Sequence, residues 1–566
     1  MTVEKVNTTR PVTCKMDFFP IKSAICFHSR HHCHSSFSLV VLFNLFPKQT
    51  AMHSVAHDAW ASGVLTLDLE WQNSILAHTK NYDRRCTPTE SSSCLRNFIS
   101  SGLLRFTDMQ NKPERFFAAH RLLASKILGG FGIRFTVQYN LFAGSILGLG
   151  GPSQIKYLDV LQRQGELGCF ALTEVGAGVL SGFIVNTTAT YDPIRNGFII
   201  TTPTPASEKN WISQGLTADW VVVFARLIIE KEDHGPHPFF LRMRPSRGSS
   251  KLVEGISVTD MGRKSIANDL DNARIKFDHV FAPTSSLLNK FCEINTNGKY
   301  RQTGHEKMRI EVIGQRLLTG RLAIAESALV SVRQLFIKAK TYADQKLVNG
   351  ILGQHPLSEL PHLVKLFYEA DKELTRLETF SASVEARLAV HLRNGSIPDA
   401  NLVEAIGVTK IKNIEVATAM EHRLEQELGS YALMAVSGFI YKDMLLCCKF
   451  AEGDSRILLQ KIARDELKRV QKAGYFALVR RMMLESNARE RGRAWKSFSL
   501  GIAVNSASSM AEGFVEHWEK VYDLANAVCD CHIFNECPEP EEVRRMLTTY
   551  PHLVQLTIEP LLVSRL

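Results

Sequence analysis

Long apolar runs are what this 566-residue chain has least of. The stretch most like one, residues 37–46, contains Ser38 and Asn44 and stops at Pro47. A bilayer-spanning helix needs about 20 apolar residues, so no membrane span is predicted. The same stretch starts too late for a secretory signal and lacks a small-residue cleavage site. Charge of one sign is scarce as well: 67 basic minus 57 acidic residues give +10, and the surplus is spread along the chain, with small clusters at Arg480 and Arg481 and at Arg489, Arg491 and Arg493. No basic stripe is interleaved with aromatics, so nucleic acid is not among the expected partners. The mild surplus reads as a solvated face, or as steering for a ligand with several phosphates. The 12 cysteines are scattered, with one adjacent pair at Cys447 and Cys448. That suits a reducing compartment better than a disulfide framework. Two clusters, CFHSRHHCH at 26–34 and CDCHIFNEC at 529–537, lack the paired spacing of a closed zinc site, so no metal is predicted. There is no internal repeat and no low-complexity tract.

What is present is ordinary globular material: 45% hydrophobic and 22% charged residues. The length suggests three or four domains. Residues 1–51 fit nothing that follows, and Met52 reads as an alternative start. From 52 to 167 the pattern is helical, with loops expected at Cys86 to Cys94 and at 150–152; Pro113 opens one helix. From 168 to 285 short β-branched runs alternate with turn residues, predicting a compact antiparallel sheet or small barrel. From 286 to 475 apolar residues return to helical spacing: Ile313 to Phe336, Leu363 to Leu388, and Leu402 to Leu428 ended by Gly429. Antiparallel packing of these helices is expected. A further helical region, 476–566, is predicted to stay helical to about Ala525 and to be less regular after it. The fold class is therefore α+β: an N-terminal helical domain, a central antiparallel β-barrel-like domain and a C-terminal helical bundle.

Three short motifs carry chemistry. FALTEVGAG (170–178) and KNWIS (209–213) lie in the β-rich part, and KFAEGDSR (449–456) sits on a polar break between apolar helical stretches. Taken singly, Thr173 would be a strand-end hydroxyl, Trp211 a core aromatic and Glu452 a helix-end carboxylate. In this order and spacing they are similar to the flavin and base elements of the acyl-CoA oxidase and dehydrogenase superfamily. From about residue 52 to 472 the chain resembles peroxisomal acyl-CoA oxidases. The likeness is also carried by residues 133–141 (IRFTVQYNL), 187–193 (TTATYDP), 234–237 (HGPH), 268–273 (NDLDNA) and 288–291 (LNKF). The last ninety residues contribute much less.

The resemblance implies a fold, a cofactor and a reaction. FAD is the implied cofactor. Thr173 would face the pyrimidine side of its ring, in a segment whose Gly178 lets the backbone come close. Trp211, Ser213 and Gly215 would pack on or reach the flavin. Glu452 would take a proton from the carbon next to the thioester of an acyl-CoA, with burial raising its pKa toward working pH. Gly453 would give substrate and cofactor room. Molecular oxygen is the implied acceptor, hydrogen peroxide and a trans-2-enoyl-CoA the products, and a homodimer the implied assembly. Transfer of electrons to an electron-transfer flavoprotein, or a catalytically degenerate scaffold, are the alternatives.

Several positions depart from the family pattern. Val179 replaces a serine usual in the dehydrogenases. Gln214 stands where oxidases usually have glycine, and is expected to put a side chain where the backbone should approach the flavin. Lys346 replaces an arginine that would reach the neighbouring subunit's FAD. Gly429-Ser430 replaces a Gly-Gly pair. The chain ends Ser564-Arg565-Leu566, matching the small-basic-leucine address read by the peroxisomal import receptor. Peroxisomal localisation is the expectation. Acyl chain length and branching are not fixed by these residues.

Overall fold

The computed structural model describes residues 69–82, 85–126, 129–178, 184–295, 298–303, 308–350 and 353–537. All of them fall in one compact unit, residues 50–566. The 26–34 cluster, Val179 and the terminal Ser564-Arg565-Leu566 lie outside the described residues.

The first helices are α1 (Leu69–His78), α2 (Pro88–Ser101), α3 (Asp108–Asn111), α4 (Pro113–Lys126), α5 (Gly130–Thr136), α6 (Gly144–Leu149) and α7 (Pro152–Gln164), with a π turn at Val137–Ala143 between α5 and α6. Much of the segment expected as a loop at Cys86 to Cys94 is instead the start of α2. The reason is local: Thr87 accepts from the Glu90 N–H, the Glu90 carboxylate accepts from the Thr87 N–H at 2.7 Å, and Pro88 takes the first helical position.

Strands follow: β1 (Gly168–Ala171), β2 (Thr188–Asp192), β3 (Gly197–Thr201), β4 (Lys209–Ser213), β5 (Trp220–Ile229), β6 (Glu232–Arg242), β7 (Ile256–Asp260), β8 (Asn272–Phe277), β9 (Val280–Pro283), β10 (Cys292–Ile294) and β11 (Tyr300–Gln302). They form a six-stranded sheet, ordered β1-β5-β2-β3-β9 with β6 on the other side of β5, and a three-stranded sheet β4-β8-β7. The larger sheet is mixed rather than purely antiparallel. β1 and β2 both run parallel to β5, pairing with its first and second halves. Parallel pairing needs a long crossover, which local patterning cannot reveal.

Strand β5 shows how one strand serves two cores. Val221, Val223, Ala225, Leu227 and Ile229 join the apolar cluster of the strands, packed with Ile212, Ala273 and Ile275 of the smaller sheet. Val222 and Phe224 point the other way into the helical core, with Phe142 and Leu322. Alternation of side chains along a strand makes this division unavoidable. A strand exposed to neither solvent nor turns on either face reads as a continuous apolar run, as WVVVFARLII does.

The second helical part comprises α8 (Met308–Gln345), a hairpin β12 (Leu347–Gly350) and β13 (Gly353–Pro356), α9 (Pro361–Asn394), α10 (Ala400–Leu428), α11 (Lys442–Phe450), α12 (Ser455–Ala473), α13 (Tyr475–Leu484), α14 (Ala488–Asn505), α15 (Met510–Glu516) and α16 (Trp518–Glu536). Helix α10 ends at Gly429, φ 58°, as expected. The helical pattern does not fade at Ala525 but runs to Glu536, because Val528, Cys529 and Ile533 continue the buried face of α16. Cys529 and Cys531 are buried thiols of that helix, and burial pushes both up, Cys531 to about 11. Among the described residues no group of three His, Cys, Asp or Glu side chains is placed to hold a metal ion, and no helix is long and apolar enough to cross a membrane.

Charged side chains fasten the helices to the strands. The Asp269 carboxylate caps the start of α5, accepting from the Gly130 and Phe131 N–H groups at 2.8 Å each and from the Tyr82 hydroxyl at 2.6 Å. Gly130 is obligatory here, since a Cβ would lie 2.4 Å from that of Leu270. Two residues on, Asp271 pairs with the fully buried Arg134 at 2.8 Å and accepts from the Leu216 N–H at 2.6 Å.

Candidate active site

The joint just described sets the loop after β4. Arg134 also donates to Thr217 Oγ1 at 2.9 Å and to Gln214 Oε1 at 3.3 Å. Gln214 adopts φ 71°, and its buried amide donates to the Gly168 carbonyl at 2.7 Å and to Gln138 Oε1 at 3.1 Å. The Gln214 side chain, expected where the backbone should approach a flavin, turns inward and ties β4 to β1 and to the π turn. Gly215 has a packing reason, because a Cβ there would lie 2.7 Å from Ala273 Cβ.

Thr173 and Trp211 are brought together. An antiparallel bridge joins Glu174 to Lys209, and the Asn210 N–H donates to the Thr173 carbonyl at 2.9 Å. Between Lys209 and Ile212 the register with β8 slips, leaving Trp211 in a bulge with φ 56°. Its indole is 57% exposed. A large aromatic side chain in the left-handed region is strained, and such strain concentrates at ligand sites. Thr173 and Gly178 are exposed too. Ser213 is half-buried, and its hydroxyl accepts from Asn272 Nδ2 at 3.1 Å. An exposed indole on a strand whose backbone pairs with the segment of Thr173 and Gly178 suits a flat heteroaromatic ring with polar edges.

Glu452 lies in the turn between α11 and α12. Its φ is 58° and that of Gly453 is 100°. Two successive left-handed residues reverse the chain within one step, and the second needs glycine for that reason alone. A Cβ on Gly453 would also stand 3.3 Å from Arg321 Nη2, so the glycine accommodates a guanidinium. The Glu452 carboxyl packs against α8 at Gly320, where a Cβ would sit 2.4 Å from the carboxyl carbon. Its Oε2 is enclosed and has no hydrogen-bond partner. Burial pushes the carboxyl up to about 7, against the opposing pull of Arg321 and Lys410. A carboxyl group with a free oxygen and this proton affinity can hold a proton or take one at neutral pH.

Helix α11, which leads into this turn, packs on the helix that sets the loop after β4. Met444 of α11 lies 3.6 Å from where a Cβ on Gly132 would be, and Arg134, on the same helix as Gly132, holds Gln214 and Thr217 just past β4. Nothing in the sequence pointed to Gly320, Arg321 or Lys410, to the direction of the Gln214 side chain, or to the roles of Asp269 and Asp271. The aspartates stood in a quoted motif whose purpose no spacing revealed.

No family model matches the chain. Over 428 residues it is 28% identical to a protein of Arabidopsis thaliana named acyl-coenzyme A oxidase 2, peroxisomal; the match covers 68% of this chain and 58% of that one. A Saccharomyces cerevisiae acyl-coenzyme A oxidase is 29% identical over 398 residues, covering 64% and 52%. A mouse acyl-coenzyme A oxidase-like protein is 26% identical over 381 residues, covering 65% and 60%. The chain thus spans little more than half the length of these curated relatives. Among solved structures, Arabidopsis thaliana acyl-CoA oxidase 1 superposes with a TM-score of 0.68 at 18% identity, covering 88% of this chain and 83% of that one. Caenorhabditis elegans acyl-CoA oxidase-2, solved with FAD, ascaroside-CoA and ATP, gives 0.64 at 16% identity, covering 89% and 88%. The chain is therefore similar in sequence to acyl-CoA oxidases and carries their fold, as the motifs led one to expect.

Proposed function

We propose that this chain is an FAD-dependent acyl-CoA oxidase that converts an acyl-CoA and O2 to a trans-2-enoyl-CoA and H2O2. The observation that carries the reading is the Glu452 carboxyl: enclosed, unpartnered at Oε2, and pushed up to about 7. Such a group is poised to take the proton from the carbon next to the thioester. Bound FAD would accept the hydride from the neighbouring carbon and pass two electrons to oxygen. Thr173 and Trp211, with Ser213, Gly215 and Gly178 around them, would hold the ring; the exposed indole and hydroxyl offer it a face and an edge. Gly453 would keep the approach to Glu452 clear of any side chain on that turn. Arg321, donating to the Glu452 carbonyl at 2.9 Å, keeps the base in place. The protein would act as a homodimer in the peroxisome, delivered by its terminal Ser564-Arg565-Leu566.

Peroxide release from pure, FAD-loaded protein given acyl-CoA in air tests the reading directly. Dye reduction without peroxide would instead favour a dehydrogenase that hands electrons to a flavoprotein. A colourless protein that cannot take up FAD would mean a scaffold without the chemistry. Removing the last three residues should leave activity intact and send a tagged protein to the cytosol; continued arrival in peroxisomes would show that another signal is read.

A further inference from the structure

Helix α10 is apolar around its middle, where Ile406, Val408, Ile411 and Ile414 are all buried. Lys410 stands among them, itself fully buried. A lysine in such a place forfeits the hydration of its ammonium, and a methionine of similar length would fit without that cost. The ammonium is spent on one object. It donates to the carbonyls of Ala451 at 2.6 Å, of Gly453, and of Lys449 at 3.5 Å. These acceptors are the last carbonyls of α11 and those flanking Glu452, which have no partners within the helix. An ammonium has three donors, matching three carbonyls, and a cation at a helix C-terminus meets the negative end of the dipole.

We infer that Lys410 is a positioning residue for Glu452, its ammonium clasping the backbone on both sides of that residue and holding the two left-handed steps that turn the carboxyl toward Gly320. This rests on the reading of Glu452 as the base. Arg321 completes the clasp from α8 through the Glu452 carbonyl. The charged and titratable groups facing this turn are therefore Arg321 from α8, Lys410 from α10, Cys448 from α11 and Asp454 from the turn itself. Arg321 and protonated Lys410 favour the ionised carboxylate, opposing the effect of burial; burial lowers Lys410 itself to about 7, so its charge acts in full only below that pH. Lys410 thus acts twice, on the geometry of the turn and on the pH at which Glu452 ionises.

The two effects separate in a pair of variants of the full, FAD-loaded chain. In Lys410→Met the clasp and the charge are both gone. A shift of about 1 Å in a catalytic group costs about 10²-fold in rate, so kcat should fall roughly 10- to 100-fold with KM nearly unchanged. The acid limb of kcat/KM should move to higher pH. In Lys410→Gln an amide can still donate to two carbonyls but carries no charge. Most of kcat should survive above the limb, while the limb moves as in the methionine variant. Infrared spectroscopy of Glu-labelled protein reads the same ionisation without turnover, the band of the protonated carboxyl being assigned by its loss in Glu452→Gln. That band should persist to higher pH in both lysine variants. A kcat and an acid limb like those of the wild type in Lys410→Met would overturn the inference, even alongside lowered thermal stability. Should that variant not fold, an unshifted infrared titration in Lys410→Gln overturns it equally. Wild-type protein inert toward every acyl-CoA would sink the functional reading alone, since the infrared titration does not depend on it.

Discussion

Two glutamates, the fully buried Glu174 and the half-buried Glu452 with its enclosed Oε2, contrast a strut with a reactive group. Glu174, next to Thr173, accepts from the Asn186 and Thr187 N–H groups at 2.8 and 2.9 Å, from Thr187 Oγ1 at 2.8 Å and from Lys209 Nζ at 2.8 Å. The enclosed Oε2 of Glu452 has no partner, and its neighbouring cations spend their hydrogen bonds on the backbone. Burial alone therefore does not decide what a carboxylate does. Where donors saturate it, the charge is held and the group becomes structure. Where they do not, the charge is costly and the proton affinity rises toward neutrality.

The sharpest way to break this comparison is to neutralise both. Glu452→Gln should keep shape and yellow colour but lose about 10³-fold or more in steady-state peroxide production, because an amide cannot take the proton. Near-normal turnover would move the base elsewhere. Glu174→Ala should cost stability instead, roughly 3–5 kcal/mol in equilibrium unfolding, since it leaves Lys209 buried without its counter-ion. A loss below about 1 kcal/mol would show that Glu174 is no strut.

Stability should also separate the pair by pH. Glu452 rises from 4.5 to about 7 on folding, so its contribution is complete below 4.5 and is lost as pH climbs through 7. At pH 8 Glu452→Gln should thus be more stable than the wild type by up to about 3 kcal/mol, an advantage that vanishes near pH 4. Melting curves across that range measure it. The smallest stability effect is expected at Trp211→Gly. Relief of the left-handed φ, worth about 1–2 kcal/mol, should offset the little packing that an exposed indole provides. Flavin titration should nevertheless show weaker FAD binding.

The helical, strand-rich, helical order was legible because period and composition change with it. Glu452 with Gly453, and Thr173 with Trp211, were legible as short motifs. The environment that makes Glu452 unusual was not. Lys410 follows Thr409 in a helix where a lysine ordinarily marks a solvated face, and nothing local tells that it points at a turn some forty residues later. Gln214 shows the opposite failure: its identity was noticed, but which way it points depends on Gln138 and Arg134, far away in the chain. The parallel partners of β5 were hidden for the same reason, since pairing across a long connection leaves no mark on neighbouring residues. At α2 the start signal of Thr87, Pro88 and Glu90 was present and outweighed by the polar run that follows it.

The most direct test of the account is the rate of flavin bleaching when FAD-loaded protein is mixed with acyl-CoA without oxygen, followed from pH 5 to 9 in wild type and Glu452→Gln. The rate should rise through an apparent pKa near 7 in the wild type and be absent in the variant. Bleaching of equal speed in Glu452→Gln, or a wild-type rate flat across that range, would contradict it.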